Sequence, residues 1–526
     1  MNSLQGFCGA TYALDNKFAA VERCVNLYPT PNESPDESKF KYSLSECPGN
    51  APFGSISGFP AFQYPCRGLV EWDGLVYGVN GTQLFSLDSV GNYAILGGLA
   101  IPGTGPVKMI PTPQGQLFIT VDIDPFGTTD AFIYYDANGA YPGVTVRSDA
   151  WTGYLGTSQA TFQDGYILAI TTDRRKFQIS GNSTTPIGDF TLWDEANISF
   201  QGGQADRLQT IISWREYIRL FGSARSQVYY NAGNQGLGGF PFQSFNSTFI
   251  ETGIGAVASL ANMGESLIWV GNDARGMRAC WEDSGFHPQR ISTFAVEQHW
   301  QEFVTVADAV AFAYLWKGHL FYQITFPAAG ETWVHDKTAS AVAGRPLWHE
   351  RTLQWIDGTT RRRPELYHCF CYGAHLVGSD GTDGNPGAVY KYADTYSDVV
   401  VTNVAAGVLT TQLQGIVPMR ITPNIYGSGN RIRLDRLRFD MEAGVGLPGT
   451  GPGSNPMLKV QISRDAGNSY GPIYQIPIGQ AGKFKQQIYL NRLGYGRDMV
   501  FKVYGDGSAV PYEFVGAYFD GQELGS

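Results

Sequence analysis

Apolar and polar positions alternate with a period of two over Tyr217 to Phe221, where Ile218 and Leu220 face one way and Tyr217, Arg219 and Phe221 the other. That is the pattern of a half-buried strand. Gly222-Ser-Ala supplies a turn, and Gln227 to Tyr230 returns as the second strand of a hairpin. The same shape, a polar turn entering an aromatic-rich apolar strand, recurs at Trp72-Asp-Gly-Leu-Val-Tyr, Gln163-Asp-Gly-Tyr-Ile-Leu, Met263-Gly-Glu-Ser-Leu-Ile-Trp, Leu315-Trp-Lys-Gly-His-Leu-Phe and Cys371-Tyr-Gly-Ala-His-Leu-Val, with Gln114-Gly-Gln-Leu-Phe-Ile a weaker copy. Aligned on Gly74, Gly115, Gly165, Glu216, Glu265, Gly318 and Gly373, the copies start roughly 40 to 55 residues apart, close to the length of a four-stranded propeller blade. The chain is therefore expected to be all-β, with a β-propeller of six or seven blades. An open stack of antiparallel hairpins is the alternative.

The regular series occupies about 46–395. Before it, residues 1–45 read as an N-terminal arm, because Tyr28-Pro-Thr-Pro-Asn-Glu-Ser-Pro-Asp-Glu-Ser is polar and turn-rich after one apolar segment, Phe18 to Leu27. Such an arm has to pack on something to stay ordered. After about 395 the texture changes to short strands at Arg431 to Phe439, Leu458 to Ser463, Ile473 to Ile478, Lys485 to Leu490, Met499 to Tyr504 and Phe514 to Phe519. These predict a C-terminal β-sandwich-like domain over 396–526. Loops such as Asn231 to Ser244 and the basic Gly358-Thr-Thr-Arg-Arg-Arg-Pro are expected to project from the propeller faces. A helical signal stands out only at Ser292 to Val310, where Phe294, Val296, His299, Phe303 and Val306 partly share a face.

Composition agrees with this reading. Gly 65, Pro 28 and 13% aromatic residues favour strands joined by turns, and 526 residues at 43% hydrophobic content can build substantial cores. A formal charge of −10 with only 16% charged residues argues against tight binding of a phosphate backbone. It suits a surface past which DNA slides, as it suits any soluble acidic protein. Seven cysteines without a dense framework fit folding in a reducing cytoplasm. Met1 to Ala20 lacks a basic segment followed by an apolar one, and no apolar run approaches about 18 residues, so neither a secretory leader nor a membrane span is expected.

Most chemical motifs dissolve on inspection. Gly271-Asn-Asp-Ala-Arg-Gly276 has the glycine spacing of a phosphate loop, but Met277 stands where a Lys is needed. His368-Cys-Phe-Cys-Tyr-Gly-Ala-His375 offers four metal-ligand types, yet strand alternation sends Cys369 and Cys371 to one face and His368 to the other. Asp122 and Asp124, and the run Asp380-Gly-Thr-Asp-Gly-Asn, read as turn formers. Arg174-Arg-Lys176 and Arg361-Arg-Arg363 read as solvated loop tips or interface pairs. There is no Gly-x-Ser-x-Gly elbow. No catalytic, cofactor-binding or metal-binding residue is expected. Ser463-Arg-Asp-Ala-Gly-Asn-Ser-Tyr470 does fit the Asp-box hairpin, with Ser463, Asp465, Gly467 and Ser469 at its fixed positions; there the Asp and the hydroxyls close the turn by bonding its backbone, so the motif is structural.

Arg23-Cys-Val-Asn-Leu-Tyr-Pro29, Cys47-Pro-Gly49 followed by Arg67-Gly-Leu69, Ser213-Trp-Arg-Glu-Tyr-Ile-Arg-Leu-Phe-Gly222 through Val228-Tyr-Tyr230, and the Asp-box hairpin occur in that order across the chain. Together they resemble the podovirus tail nozzle family, also called packaged-DNA stabilisation proteins of short-tailed phages. The resemblance implies a homo-hexameric ring below the portal and its adaptor, forming a tail channel that holds packaged double-stranded DNA and later conducts it. It further implies tail fibres or spikes and a needle or plug as neighbours, no cofactor, and a place in the virion after assembly in the bacterial cytoplasm. On this reading Arg23, Asn26 and Tyr28 are the candidates for contacts between subunits. Two readings of another class are a propeller glycosidase, which needs arginine and carboxylates converging at the propeller centre, and a receptor-binding tail module, usually a repetitive trimeric fibre.

Overall fold

The computed structural model describes residues 2–34, 40–54, 64–96, 100–121, 131–135, 145–148, 151, 153–157, 159–181, 190–200, 206–233, 240–272, 278–405, 408–427 and 429–524. Asp122 and Asp124, residues 273–277 of the phosphate-loop spacing, 234–239 of the long loop and 35–39 of the polar arm lie outside them.

The two-residue period builds strands, but both faces of each sheet are covered. In Tyr217–Gly222, Ile218 and Leu220 enter the apolar cluster shared with the preceding sheet, and Phe221 enters the cluster shared with the following one. The strand expected to be half-buried is buried on both sides, because each sheet has a neighbour on either face. Even Arg219 is enclosed, ion-paired with the equally buried Asp283 of the next sheet.

Among the described residues seven four-stranded antiparallel units follow one another, covering 66–96, 107–147, 160–200, 208–250, 261–290, 310–351 and 365–393. The seventh takes its outermost strand from the other end of the chain: Gly49–Pro52 pairs with Val389–Ala393, with Asn50 opposite Tyr392. Seven apolar clusters each join two consecutive units. In the last, Leu69, Val76 and Phe85 of the first unit meet Cys369, Cys371 and Leu376 of the seventh. That contact closes the ring. The propeller has seven blades, and the open stack is excluded.

The seven positions aligned in the sequence all fall in the turn between the first and second strands of a blade. In five of them the register leaves a two-residue loop, Trp214 opposite Tyr217 included; four of the five (Trp72 opposite Leu75, Gln163 opposite Tyr166, Trp316 opposite His319, Cys371 opposite Ala374) carry glycine at the second position. Both loop residues in these four have positive φ, as at Asp73 (50°) and Gly74 (76°). This is the loop whose twist matches paired strands, and glycine at its second position adopts that conformation without a Cβ penalty.

The remaining strands form a two-layer sandwich. One sheet runs Leu27–Pro31, Tyr42–Glu46, Phe514–Leu524, Arg431–Met441, Ile488–Gly496. The other runs Val21–Val25, Met419–Ile421, Asp498–Gly505, Met457–Ser463, Tyr474–Pro477. Leu27, Leu44, Leu434, Leu437 and Phe439 of the first meet Leu458, Val460, Phe501 and Val503 of the second. Residues 1–45, read as an arm, thus contribute strands to both layers, and Ser397–Ala405 with Val408–Gly415 adds a hairpin. The helix expected near Ser292 is Phe294–Gln301, capped by Thr293 and burying Val296 and Trp300. No helix of the described residues is long and apolar enough to cross a membrane.

Candidate functional site: the joint between ring and sandwich

Val21–Val25 is hydrogen-bonded on both edges. Val25 pairs in parallel with Glu350 of the sixth blade, while Arg23, Cys24 and Val25 pair with Ile421, Arg420 and Met419 of the sandwich. One eleven-stranded sheet therefore runs from the sixth blade into the sandwich. Arg23 donates from Nε to Glu350 Oε1 at 3.0 Å and also from a terminal nitrogen to the same carboxylate, whose charge raises the Arg23 pKa. Asn26, at φ 57°, turns the chain out of this sheet toward the other. Its amide nitrogen donates to Thr352 Oγ1 at 3.0 Å and the Val417 carbonyl at 3.1 Å, and its side-chain oxygen accepts the Thr352 N–H at 2.8 Å. Tyr28 packs edge-on against His319 and Phe321, with ring centroids 4.9 and 5.1 Å apart.

These three residues were expected at a contact between subunits. The structure instead puts Asn26 (2% exposed) and Tyr28 (1%) inside the chain, where ladder bonds and aromatic packing use up their surfaces. The Arg23 side chain is half-exposed. It lines a cavity of about 240 Å³ together with His299, Glu331, Trp333 and Glu350. His299 Nε2 lies 3.0 Å from Glu331 Oε2, and that hydrogen bond raises the imidazole pKa.

Two further buried arginines fasten the joint. Arg420 donates to the carbonyls of Gly6 (2.7 Å), Ala10 (3.1 Å) and Arg23 (3.1 Å), binding the N-terminal segment to the sandwich. Arg363 bonds Glu365 (2.6 Å) and Asp398 (2.6 and 2.9 Å), all three buried, and Asp398 also accepts the Asn50 N–H of the closing strand at 2.9 Å. Burial works to raise the Glu365 carboxyl, but the Arg363 and Arg351 charges and the Arg363 hydrogen bonds carry it below the usual range. The basic run 361–363 is thus split: Arg361 is exposed over the Trp355 ring at 3.7 Å, Arg362 pairs with Asp380, and Arg363 is interior.

The Asp-box residues form the expected hairpin turn. Ser463 Oγ donates to Asp465 Oδ1 (2.6 Å) and accepts the Gly467 N–H (2.8 Å), while Asp465 accepts the Ser469 N–H (2.9 Å) and hydroxyl (2.5 Å). The Ser463 and Ser469 bonds hold the Asp465 carboxyl down at about 2. The turn is seated on Val21, whose Cγ2 would lie 2.8 Å from a Cβ at Gly467, so it buttresses the joint strand.

Cys369 and Cys371 lie in the core between the seventh and first blades, and His368 stacks on His375 with the ring nitrogens 3.0 Å apart. Among the described residues no three His, Cys, Asp or Glu side chains converge as a metal site. In Asp380-Gly-Thr-Asp-Gly-Asn385, Asp380 accepts the Thr382 N–H at 3.0 Å and Asp383 the Ser379 hydroxyl at 2.6 Å, a turn closed on itself. Sequence reading missed Glu350, Arg420 and Asp398, whose partners are more than 300 residues away in Arg23, Gly6 and Asn50; a carboxylate or guanidinium on an apolar strand was the available signal.

A family model described as bacteriophage P22 Gp10, β-propeller matches residues 20–391, and one described as bacteriophage P22 Gp10, β-sandwich matches 418–519. No curated protein matches the chain. Solved structures similar to it include the WD40 propeller domain of Doa1 (10% identity, 66% of this chain and 97% of that one, TM-score 0.38) and the exo-β-1,3-galactanase of Phanerochaete chrysosporium (12%, 90% and 100%, TM-score 0.26). At those scores neither lends its activity to this chain. Matched over both its ring and its sandwich, the chain belongs to the bacteriophage P22 Gp10 family and is a structural component of a phage virion.

Proposed function

We propose that six copies form a ring below the portal and adaptor of a short-tailed phage, that the ring retains packaged DNA and conducts it on ejection, and that the subunit makes or breaks no bond. The family match over both parts of the chain carries this reading. The rigidity of the unit supports it: a closed seven-blade ring, joined to the sandwich through one continuous sheet, is a stiff wall element rather than a hinged one. The charge of −10 supports a wall that DNA passes without adhering. The passage lies between copies. The axial cavity of a single propeller, about 750 Å³, is too small for a duplex: spread over one helical turn of about 34 Å it leaves a bore about 5 Å across, narrower than the duplex's own major groove of about 12 Å. Adaptor, tail fibres or spikes and the needle are the neighbours in this arrangement, and assembly takes place in the bacterial cytoplasm.

Native mass spectrometry of the full chain, alone and with the adaptor, tests the proposal. Hexamers in either sample support it; monomers at every concentration and no adaptor complex overturn it.

A further inference from the structure

The inner strands of the blades enclose the axial cavity of about 750 Å³. Its lining carries three cations, Arg67, Lys108 and Arg174, and two carboxylates, Asp308 and Asp380. Asp380 is committed to Arg362 and the Thr382 N–H, and Asp308 accepts the Ala328 N–H at 2.7 Å with one oxygen while the other has no partner among the described residues.

Two of the cations are differently placed. Arg67, buried, donates to the carbonyls of Gly81 (2.6 Å), Ile101 (3.2 Å), Pro102 (2.9 Å) and Gly105 (2.8 Å) and meets no carboxylate among the described residues. Lys108 reaches from the second blade past the third to the Ile211 carbonyl of the fourth, 2.9 Å from Nζ, and that is its one hydrogen bond among the described residues. An ammonium has three donors, so two remain for whatever occupies the cavity. On the same lining, the Gln159 side-chain oxygen is taken by the Thr210 hydroxyl at 3.0 Å, and the Gln159 amide nitrogen has no partner among the described residues.

Lys108 is partly buried, and among the described residues no carboxylate bonds its ammonium. Burial lowers the Lys108 ammonium to about 8. The counter-charge is supplied most simply by a ligand. We propose that the axial cavity of the propeller binds a small oxyanion, a phosphate or a carboxylate, through Lys108 Nζ and the Gln159 amide, with Arg67 adding its positive field. The site is independent of ring assembly and holds whether or not the chain conducts DNA.

Isothermal titration of the full-length protein at pH 7 with inorganic phosphate, and separately with citrate, tests it. Saturable one-to-one binding of either anion is expected, phosphate alone assigning a phosphate ligand and citrate alone a polycarboxylate. Lys108→Met should weaken binding at least about tenfold, as loss of a charge-assisted hydrogen bond does, while Lys108→Arg retains it. Raising the pH from 7 to 9.5 should weaken binding in the wild type as Lys108 deprotonates, and should not weaken it in Lys108→Arg. Absence of saturable binding by both anions, or equal affinity in Lys108→Met, overturns the proposal. Should Lys108→Met not fold, Gln159→Leu replaces it, and undiminished affinity there is equally decisive.

Discussion

Asp398→Ala strips one carboxylate from a guanidinium that has no water to turn to, and also frees the Asn50 N–H of the closing strand. Removing one partner of a buried ion pair costs about 3–5 kcal/mol, so chemical denaturation should show a loss of that order, against about 0–1 kcal/mol for breaking an exposed pair such as Arg225–Glu251. His299 gives a signed pH dependence. Glu331 raises its folded pKa above the ordinary 6.5, so its contribution is complete below about 6.5 and fades as pH rises through the raised value. His299→Gln should therefore lower the melting temperature more at pH 6 than at pH 9 in paired thermal scans. Such roles were hidden in the sequence because charge alone does not say which residue of Arg361 to Arg363 turns inward; that depends on where the seventh blade meets the hairpin at Ser397–Ala405.

At the scale of single elements, the blade hairpins were legible because every determinant is local. Asp73-Gly74 and its equivalents announce a two-residue loop from two letters, and the aromatic strand follows directly. Gly74→Val should cost about 1–2 kcal/mol, since a left-handed backbone penalises a Cβ. No heavy atom lies within 4 Å of that Cβ, so the loss is conformational rather than steric, and Gly74→Asn should recover most of it in the same denaturation assay. Asp465→Ala removes the acceptor of both Ser469 bonds and should speed proteolytic nicking at 464–470, followed by mass spectrometry of the fragments. The strands at Val21–Val25 and Leu27–Pro31 were not legible as sandwich strands. Their polar, proline-rich continuation resembles a free arm; Val21–Val25 pairs with Glu350 and Met419–Ile421, and the local hairpin of Leu27–Pro31 with Tyr42–Glu46 completes a layer whose other long strands come from 431–524. The helix Lys337–Ala343 escaped because seven residues are too few for a helical period to show.

For the whole molecule, the sequence spacing left six or seven blades open because the seventh blade is not contiguous: its fourth strand, Gly49–Pro52, precedes the first blade. This interlocking has a further consequence for how the chain is made. On the ribosome, the segment that seals the circle emerges among the earliest and waits for about 340 residues until its mate at Val389–Ala393 appears, and Val21–Val25 waits longer still for Met419–Ile421. Pairings so distant in sequence are slow to form and leave strand edges open meanwhile. A nascent chain stalled before residue 389 should therefore bind chaperones and resist compaction, whereas one released past residue 524, with Phe514–Leu524 in place, should acquire protease resistance in a single step, a difference that arrested translation followed by brief protease treatment reads directly.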